Sequence, residues 1–232
     1  MQLSPDEMVF WRWDSVVINA TLVFTWLVMA LLTIVSYLAT RRLTAEQRIN
    51  RWQGVLETVL TLIGEQIEEI LDRKSAPFLP FIGTLFLFVS LSNLLSIVPF
   101  YRAPTGSLST TTALAVAVFI AIPVFGIQQQ GVAQYLKIYI QPSIFMLPFN
   151  IIGELSRTLA LAVRLFGNVM SGDLIVAILL TITPLLFPIV MQLLGLLIGQ
   201  IQAYIFAVLA TVYIGSAIRA GQKSRKREKE KG

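Results

Sequence analysis

The residue with the most unusual chemistry in this sequence is Arg164, which lies inside a long apolar run from Leu159 to Asn168. Arginine stays protonated in proteins, and a charge at the centre of a bilayer costs at least about 2.5 kcal/mol on insertion scales. No Asp or Glu stands three or four positions away, so a helix would offer Arg164 no counter-charge of its own. The sequence therefore predicts a functional arginine whose partner charge comes from elsewhere.

Other polar residues recur at helical spacing around Arg164. On a helix over 150–176, steps of three and four place one stripe of side chains on a common face. The stripe consists of Arg157, Leu161, Arg164, Asn168, Ser171 and Ile175. Glu154 precedes Arg157 by three positions, and two interpretations stay open for them: a local neutralising pair or part of the functional site. Asp173 falls off the stripe.

A second stripe follows in the last apolar segment, where Gln192, Gly195, Gly199, Gln202 and Phe206 share a face. Glycines at this spacing let another helix approach closely, and glutamines inside a membrane need hydrogen-bond partners. The two glycines alone would also fit ordinary packing. Together with the glutamines they predict a surface pressed against the arginine-bearing helix, with Gln202 bonding to Arg164.

The composition indicates that these segments lie in lipid. Of the 232 residues, 56% are hydrophobic and 13% are charged, whereas an average soluble domain has about 25% charged residues. The mean hydropathy is +0.75. The absence of Cys and His excludes disulfides, thiolate metal sites and the commonest proton carrier at neutral pH. The sequence thus predicts an integral membrane protein with no cofactor and no resident metal, transient sodium aside.

Five apolar segments are long enough to cross about 30 Å of hydrocarbon. They lie at roughly 15–40, 78–99, 110–130, 142–182 and 184–218. The last two are nearly twice the length of one perpendicular crossing, and Pro184 and Pro188 mark the turn between them. We expect an all-α, polytopic protein whose last two helices form a long, steeply tilted hairpin. Its parts would be an external tail at 1–14, one membrane domain at 15–218 and a basic tail at 219–232.

The positive charges predict the orientation of the chain. Of the 18 Lys and Arg residues, fourteen fall in segments 41–76 and 131–141 and in the tail, while only Arg12 and Arg102 fall on the other side. Under the positive-inside rule the N-terminus is then outside and the C-terminus cytoplasmic. The tail itself favours binding to anionic lipid or a solvated, irregular end over a dedicated partner site.

Segment 44–74 differs from the spans because apolar residues alternate with acidic ones at helical spacing. This pattern is typical of an amphipathic helix at the cytoplasmic surface. Two interpretations remain open: an ordinary helix covering a loop, or a docking surface for another subunit.

The run from Glu154 through Arg164-Leu165-Phe166-Gly167-Asn168 to Asp173-Leu174-Ile175 resembles the signature of subunit a of the F-type ATP synthases. Ile201-Gln202-Ala203-Tyr204-Ile205-Phe206 is similar to the last-helix motif of that family. Segments 84–99 and 110–115 resemble its middle helices. The likeness covers about residues 45–218, and the Arg-Leu-Phe-Gly-Asn motif is highly specific.

The resemblance implies the membrane stator of a rotary ATP synthase, which passes protons or sodium ions through two offset half-channels to a ring of c subunits. It implies that Arg164 faces the ion-carrying carboxylate of the ring, and that Asn168, Asp173 and Gln202 line or support the path. It also implies peripheral-stalk b subunits and the lipid bilayer as partners, and a bacterial plasma membrane as the location. We expect no catalytic group, no bound nucleotide and no nucleic acid.

The chain departs from the family pattern at two positions: Gly195 stands where some bacterial members have histidine, and Asp173 where glutamate is frequent. A different class of protein, a stand-alone secondary transporter, could also place charges at mid-membrane, but it predicts repeated halves that this sequence lacks. A structural anchor whose Arg164 pairs with a neighbouring subunit is a third reading. The coupling ion and the ring stoichiometry do not follow from the sequence.

Overall fold

A computed structural model of the chain describes residues 9–13, 16–40, 51–98, 101–132, 135, 146–183 and 187–229. In chain order the elements are β1 (Val9–Trp13), β2 (Val16–Asn19), α1 (Ala20–Thr40), α2 (Arg51–Leu71), α3 (Leu79–Leu94), α4 (Leu108–Gln130), α5 (Met146–Ile182) and α6 (Phe187–Lys229). Helices make up nearly all of these ranges, and the predicted helical, polytopic fold class is confirmed.

A short strand pair precedes the first helix and was not predicted. β1 and β2 are antiparallel, with a register irregularity between Val9 and Trp11. β2 contains Val16, Val17 and Ile18, whose branched side chains favour extended backbone. The first span therefore begins at Ala20, five residues later than hydropathy alone indicated.

Five helices of the described chain are long and apolar enough to cross a membrane. Their candidate spans are Ala20–Leu38, Leu79–Ile97, Leu108–Gln130, Pro148–Ile182 and Phe187–Ala220. The last two have 35 and 34 residues, well beyond the roughly 20 that one perpendicular crossing requires. The number and order of the predicted spans are confirmed.

The last helix extends further than predicted. α6 continues without interruption to Lys229, so a helical backbone carries the basic tail that was expected to be an irregular end. Lys, Arg, Gln and Glu fill this part of the sequence, and all four are good helix formers. A helix that is already formed extends by adding one hydrogen bond per residue, and this explains why polarity alone does not end it.

Two buried clusters hold the helices together. The first joins α1, α3, α4, α5 and α6, and its members include Val28, Leu85, Val89, Val118, Leu165 and Phe206. The second joins α2 to α3, α4 and α6, and its members include Ile63, Ile67, Leu71, Ile82, Ile122 and Ile214. The small residues Ala203, Ala207 and Ala210 on α6 are almost fully buried and let neighbouring helices approach.

The amphipathic helix α2 buries its apolar face against its own chain. Two polar contacts supplement that packing: the Arg219 guanidinium donates to the carbonyl oxygen of Ile70, and Arg73 Nη1 donates to Gln129 Oε1 at 2.9 Å. At the turn into α3, the backbone N–H and the hydroxyl of Ser75 donate to Glu68 Oε1 at 3.0 and 2.8 Å and lower the pKa of that carboxyl. The apolar face thus covers the ends of α3, α4 and α6, and the acidic side chains Glu57, Glu65, Glu68 and Glu69 remain exposed.

The connection between α3 and α4 folds inward instead of lying on the surface. Residues Ala103 to Ser107 are all buried, and they include a 3₁₀ turn at Pro104–Gly106. Thr105 has no exposed surface, and its hydroxyl donates to Asn93 Oδ1 at 2.9 Å. This buried connection, residues 103–107, lies beside Val169 and Asp173 in the C-terminal half of α5.

Candidate functional site

Helix α5 places Arg164 at the boundary between its buried and exposed faces. Leu161 and Leu165 are 1% and 0% exposed and pack in the first cluster, whereas Arg164 is exposed in the isolated chain. The guanidinium forms no hydrogen bond or ion pair with any residue that the structure describes. The predicted stripe is therefore split: Leu161 turns into the core, and Arg157, Arg164, Asn168 and Ser171 flank it.

The polar contact next to Arg164 joins α5 to α6. Asn168 Nδ2 donates to Gln202 Oε1 at 2.8 Å, and Gln202 is only 2% exposed. The prediction that Gln202 would bond to Arg164 is wrong, because the side chain of Asn168 lies one turn along α5 and occupies its acceptor. The other half of the amide, Gln202 Nε2, is buried and has no partner among the described residues. A buried donor of this kind is costly unless water or a ligand satisfies it.

A second contact fixes how the two long helices lie against each other. The guanidinium carbon of Arg157 lies 5.9 Å from the centroid of the Tyr213 ring. Arg157 precedes Asn168 by eleven residues, and Tyr213 follows Gln202 by eleven. Equal steps in opposite directions define an antiparallel hairpin, and eleven residues correspond to about three helical turns. Arg164 then lies about 6 Å from the Asn168–Gln202 contact along the helix axis.

Gly199 contacts α3 and not the arginine-bearing helix, contrary to the prediction. Asn93 Nδ2 donates to the carbonyl oxygen of Gly199 at 2.9 Å, and a Cβ on Gly199 would lie 3.0 Å from Asn93 Cβ. Around Gly195 there is no heavy atom within 4 Å of the corresponding position, and Gly195 is exposed. Gln192 Nε2 donates to the Ser96 carbonyl at 3.2 Å. Gly199 and Gln192 therefore contact α3 and the turn that follows it, whereas Gly195 does not.

Asp173 lies in the C-terminal half of α5, beside the buried connection 103–107. A Cβ on Gly106 would be 3.3 Å from Val169 Cγ1 and 3.8 Å from Asp173 Oδ2, so the glycine allows the carboxylate to approach the backbone. The guanidinium of Arg102 acts electrostatically on the same carboxylate. The carboxylate and the hydroxyl of Thr105 therefore belong to one polar region beside α5.

The remaining predicted site residues have local roles in the described structure. Ser171 Oγ donates to the Asn168 carbonyl at 3.1 Å, and Thr158 Oγ1 donates to the Glu154 carbonyl at 3.0 Å. Hydroxyls on a helix commonly bond back to the preceding turn in this way. No group of three or more potential metal ligands occurs among the described residues.

Several polar residues at the α3–α6 interface were not predicted as part of the site. Asn93 bridges Thr105 and Gly199, and Ser90 exchanges hydrogen bonds with Gln200, whose Nε2 donates to the Ser90 carbonyl at 3.0 Å. Ser90 and Asn93 are three positions apart in an apolar helix, and polar residues in such a helix mark its functional or packing face. The spacing of these two residues in the sequence could therefore have identified them as part of a polar interface.

The fold and the site together define a polytopic helical membrane protein in which a long antiparallel hairpin holds Arg164, unpaired among the described residues, beside the Asn168–Gln202 contact. Comparison with known proteins identifies the family. Residues 22–215 match the family model described as ATP synthase A chain.

Three curated relatives cover nearly the whole chain. ATP synthase subunit a 2 of Acaryochloris marina is 56% identical over 99% of this chain and 98% of its own length. ATP synthase subunit a of Albidiferax ferrireducens is 56% identical over 100% of both chains. ATP synthase subunit a 1 of Chlorobaculum parvum is 57% identical over 97% of this chain and 99% of its own length.

The chain belongs to the ATP synthase A chain family. The resemblance predicted from Arg164-Leu165-Phe166-Gly167-Asn168 is therefore confirmed, and with it the function as the membrane stator subunit of an F-type ATP synthase. Membership also decides against a stand-alone secondary transporter. The assignment of individual residues to an ion path is a separate question, which the geometry above addresses.

Proposed function

We propose that this chain passes the coupling cation to and from the carboxylates of a rotor ring through two offset half-channels, and that Arg164 separates them. The observation that carries the proposal is the isolation of Arg164. It is a permanent charge inside a candidate membrane span, it is unpaired among the described residues, and it is exposed beside the apolar side chains of Leu159 and Val163. Such a charge needs an opposite charge that the rest of the described chain does not offer.

The exposed surface around Arg164 has the composition of a face that contacts lipid or another apolar helix. Large exposed side chains on α5 and α6 include Leu155, Leu159, Val163, Leu193, Leu197 and Ile201. We call these six residues together with Arg164 the rotor face. A ring of apolar helices, each with one carboxylate, matches this face in polarity and in charge.

The electrostatic role of Arg164 follows from its fixed charge. A nearby cation favours the ionised form of a carboxylate, so a rotor carboxylate that reaches Arg164 must first release its ion. After it passes, the carboxylate rebinds an ion on the other side. Net transport in one direction then requires rotation, and ion flow and rotation are coupled.

The polar groups on the outer side support one of the two paths. Asp173, Asn168 and Gln202 lie on this side of Arg164 along the hairpin, and the unpartnered Gln202 Nε2 provides a buried donor for water. Glu154, Arg157 and Ser171 support the helices, Gln192 and Gly199 contact α3 and the turn that follows it, and Gly195 stays exposed. The subunit has no catalytic step of its own; nucleotide chemistry belongs to the rest of the complex.

The partners in this proposal are the c-ring at the rotor face and the b subunits of the peripheral stalk. The location is a bacterial plasma membrane, with the N-terminal tail 1–14 outside and the basic tail 219–232 in the cytoplasm. The charge bias of the sequence supports this orientation.

Cysteine cross-linking tests the rotor face directly, because the chain has no native cysteine. Val163 is 52% exposed, whereas its neighbour Ala162 is 2% exposed and lies in the core. In a complex whose c subunit carries one cysteine on its outer helix, Val163→Cys should form an a–c disulfide under mild oxidation, detected as a combined band on non-reducing gels. Ala162→Cys is the matched control and should not. A disulfide at Ala162 with none at Val163 would contradict the assignment.

Labelling of single cysteines tests the orientation. Thr105 is a poor external reporter because it is fully buried, whereas Val98 on the same connection is 50% exposed. In intact cells a membrane-impermeant maleimide should label Val98→Cys and leave Lys229→Cys unmodified until the membrane is opened. The inverse pattern would show the chain to be inserted the other way round.

A further inference from the structure

Helix α2 carries a chain of hydrogen bonds that the roles above leave unused. Tyr204 Oη, on α6, donates to Gln66 Oε1 at 2.6 Å, and Gln66 Nε2 donates to Glu69 Oε2 at 3.1 Å. We call Tyr204, Gln66 and Glu69 the relay. Gln66 and Glu69 are three positions apart, so they occupy one face of α2. The relay thus connects a residue of the long hairpin to an exposed carboxylate on the surface helix.

The inner end of the relay lies at nearly the same depth as Arg164. Tyr204 follows Gln202 by two residues, which moves it about 3 Å along α6 from the Asn168–Gln202 contact. Arg164 lies about 6 Å from the same contact and in the same direction, because α5 is antiparallel to α6. Asp173 lies on the opposite side of that contact. Along the hairpin the order is therefore Asp173, the contact, Tyr204 and Arg164. From Tyr204 the relay continues along α2 toward Ile70 and Leu71, which lie beside Arg219 and Gly215 near the C-terminal end of α6.

The relay also interrupts an apolar surface. Tyr204 is 47% exposed, and the hydrocarbon side chains of Ile201, one turn before it on α6, and of Leu62, one turn before Gln66 on α2, are 49% and 56% exposed. The relay offers a phenol, an amide and a carboxylate oxygen in succession, and hard oxygen atoms of these kinds accept protons or ligate alkali cations. The charged residues adjoining Glu69 are Glu65, Glu68, Asp72 and Arg73 along the chain, and Arg219, which bonds to the Ile70 carbonyl.

We propose that the relay is the route along which the coupling cation passes between the cytoplasm and the level of Arg164, with Glu69 at its mouth. This inference rests on the proposed function and adds the residues of the cytoplasmic path. It also gives α2 a task beyond covering the helix ends. The competing explanation is that Tyr204 and Gln66 only fasten α2 to α6.

The test measures transport as a function of cation concentration at the cytoplasmic side. Purified complexes are reconstituted into vesicles with the nucleotide-hydrolysing head outward, and initial rates of ATP-driven uptake are recorded at varied external pH and at varied external sodium. Glu69→Gln and Tyr204→Phe should each raise the half-saturating cation concentration severalfold while the maximal rate stays near wild type. Glu65→Gln, which removes an exposed carboxylate of α2 outside the relay, is the matched control and should match wild type.

Each outcome decides the inference. An unchanged half-saturating concentration in assembled Glu69→Gln overturns it. If the yield of assembled Tyr204→Phe complex is lower but its rate depends on cation concentration as in wild type, the Tyr204–Gln66 contact only stabilises the packing of α2 on α6. If Tyr204→Phe does not assemble at all, Glu69→Gln decides alone. Arg164→Ala in the same vesicles distinguishes failure of the relay from failure of the proposed function. Continued pumping by Arg164→Ala would reject the proposed function. Loss of pumping in Arg164→Ala together with wild-type kinetics in Glu69→Gln would reject only the relay.

Discussion

Replacing Arg164 by alanine should leave an assembled complex that neither makes ATP nor pumps ions. Assembly is expected to survive because Arg164 forms no hydrogen bond or ion pair with any described residue of its own chain, while the neighbouring contacts of Leu161, Leu165 and Asn168 remain. Transport should fall to background, since nothing would then require a rotor carboxylate to release its ion before passing. A passive leak between the two paths is also expected. ATP-driven ion uptake into vesicles and ion efflux without ATP measure the two effects.

Lysine variants at the two membrane arginines provide the matched control. Arg157→Lys keeps a cation near the Tyr213 ring, and a cation–π contact accepts ammonium as well as guanidinium, so coupled transport should persist. Arg164→Lys should be severely impaired, because an ammonium is a compact point charge that can lose its proton when desolvated, whereas guanidinium stays charged and spreads over several donors. Near wild-type pumping by Arg164→Ala or by Arg164→Lys would contradict the proposed mechanism.

The second large effect is expected for Gly199→Val, which should strongly reduce the amount of correctly folded chain in the membrane. The new side chain would meet Asn93, whose Cβ lies 3.0 Å from the position of the added Cβ, and would displace the bond from Asn93 Nδ2 to the Gly199 carbonyl. Overpacking costs about 1–3 kcal/mol, and a lost buried hydrogen bond adds about 1 kcal/mol. The midpoint temperature of unfolding in detergent and the yield of assembled complex measure the loss.

Gly195→Val is the control for that experiment. It makes the same change one helical turn earlier, where no heavy atom lies within 4 Å of the added Cβ. The variant should keep the unfolding temperature of the wild type, whatever its effect on rotation. Equal losses for both glycines would mean that crowding against Asn93 is not the cause.

The sequence was sufficient for the membrane architecture because each span needs about 20 apolar residues, and a window of that length is hard to mistake. Arg164 could be predicted as a functional residue equally well, since a charge inside such a window is rare. The hairpin was predicted from the lengths of α5 and α6 and from Pro184 and Pro188. These features are properties of single segments, which explains why one sequence can reveal them.

The contacts between segments were harder to predict. Gln202 and Gly199 were both assigned to the arginine-bearing helix from their spacing. Gln202 does contact that helix, although through Asn168 and not through Arg164, whereas Gly199 contacts Asn93 of α3. Helical spacing identifies the face of a helix but does not say which neighbour that face meets. The inward fold of connection 103–107 was missed for a related reason. A short segment with Pro, Thr, Gly and Ser is typical of an exposed loop, and only the structure shows that the Thr105 hydroxyl donates to Asn93 Oδ1 inside the protein.

The six hydrocarbon side chains of the rotor face have a mechanical consequence for a ring that moves past them. Hydrogen bonds are directional and must break before a partner can move, whereas contacts between hydrocarbon side chains are weak, numerous and insensitive to orientation. A ring turning past Leu159, Val163, Leu197 and Ile201 would therefore meet little angular resistance between its stopping points. Arg164 would then be the one point of this face at which a strong, charge-dependent interaction holds the ring, and the hydrocarbon contacts around it would let the ring slide.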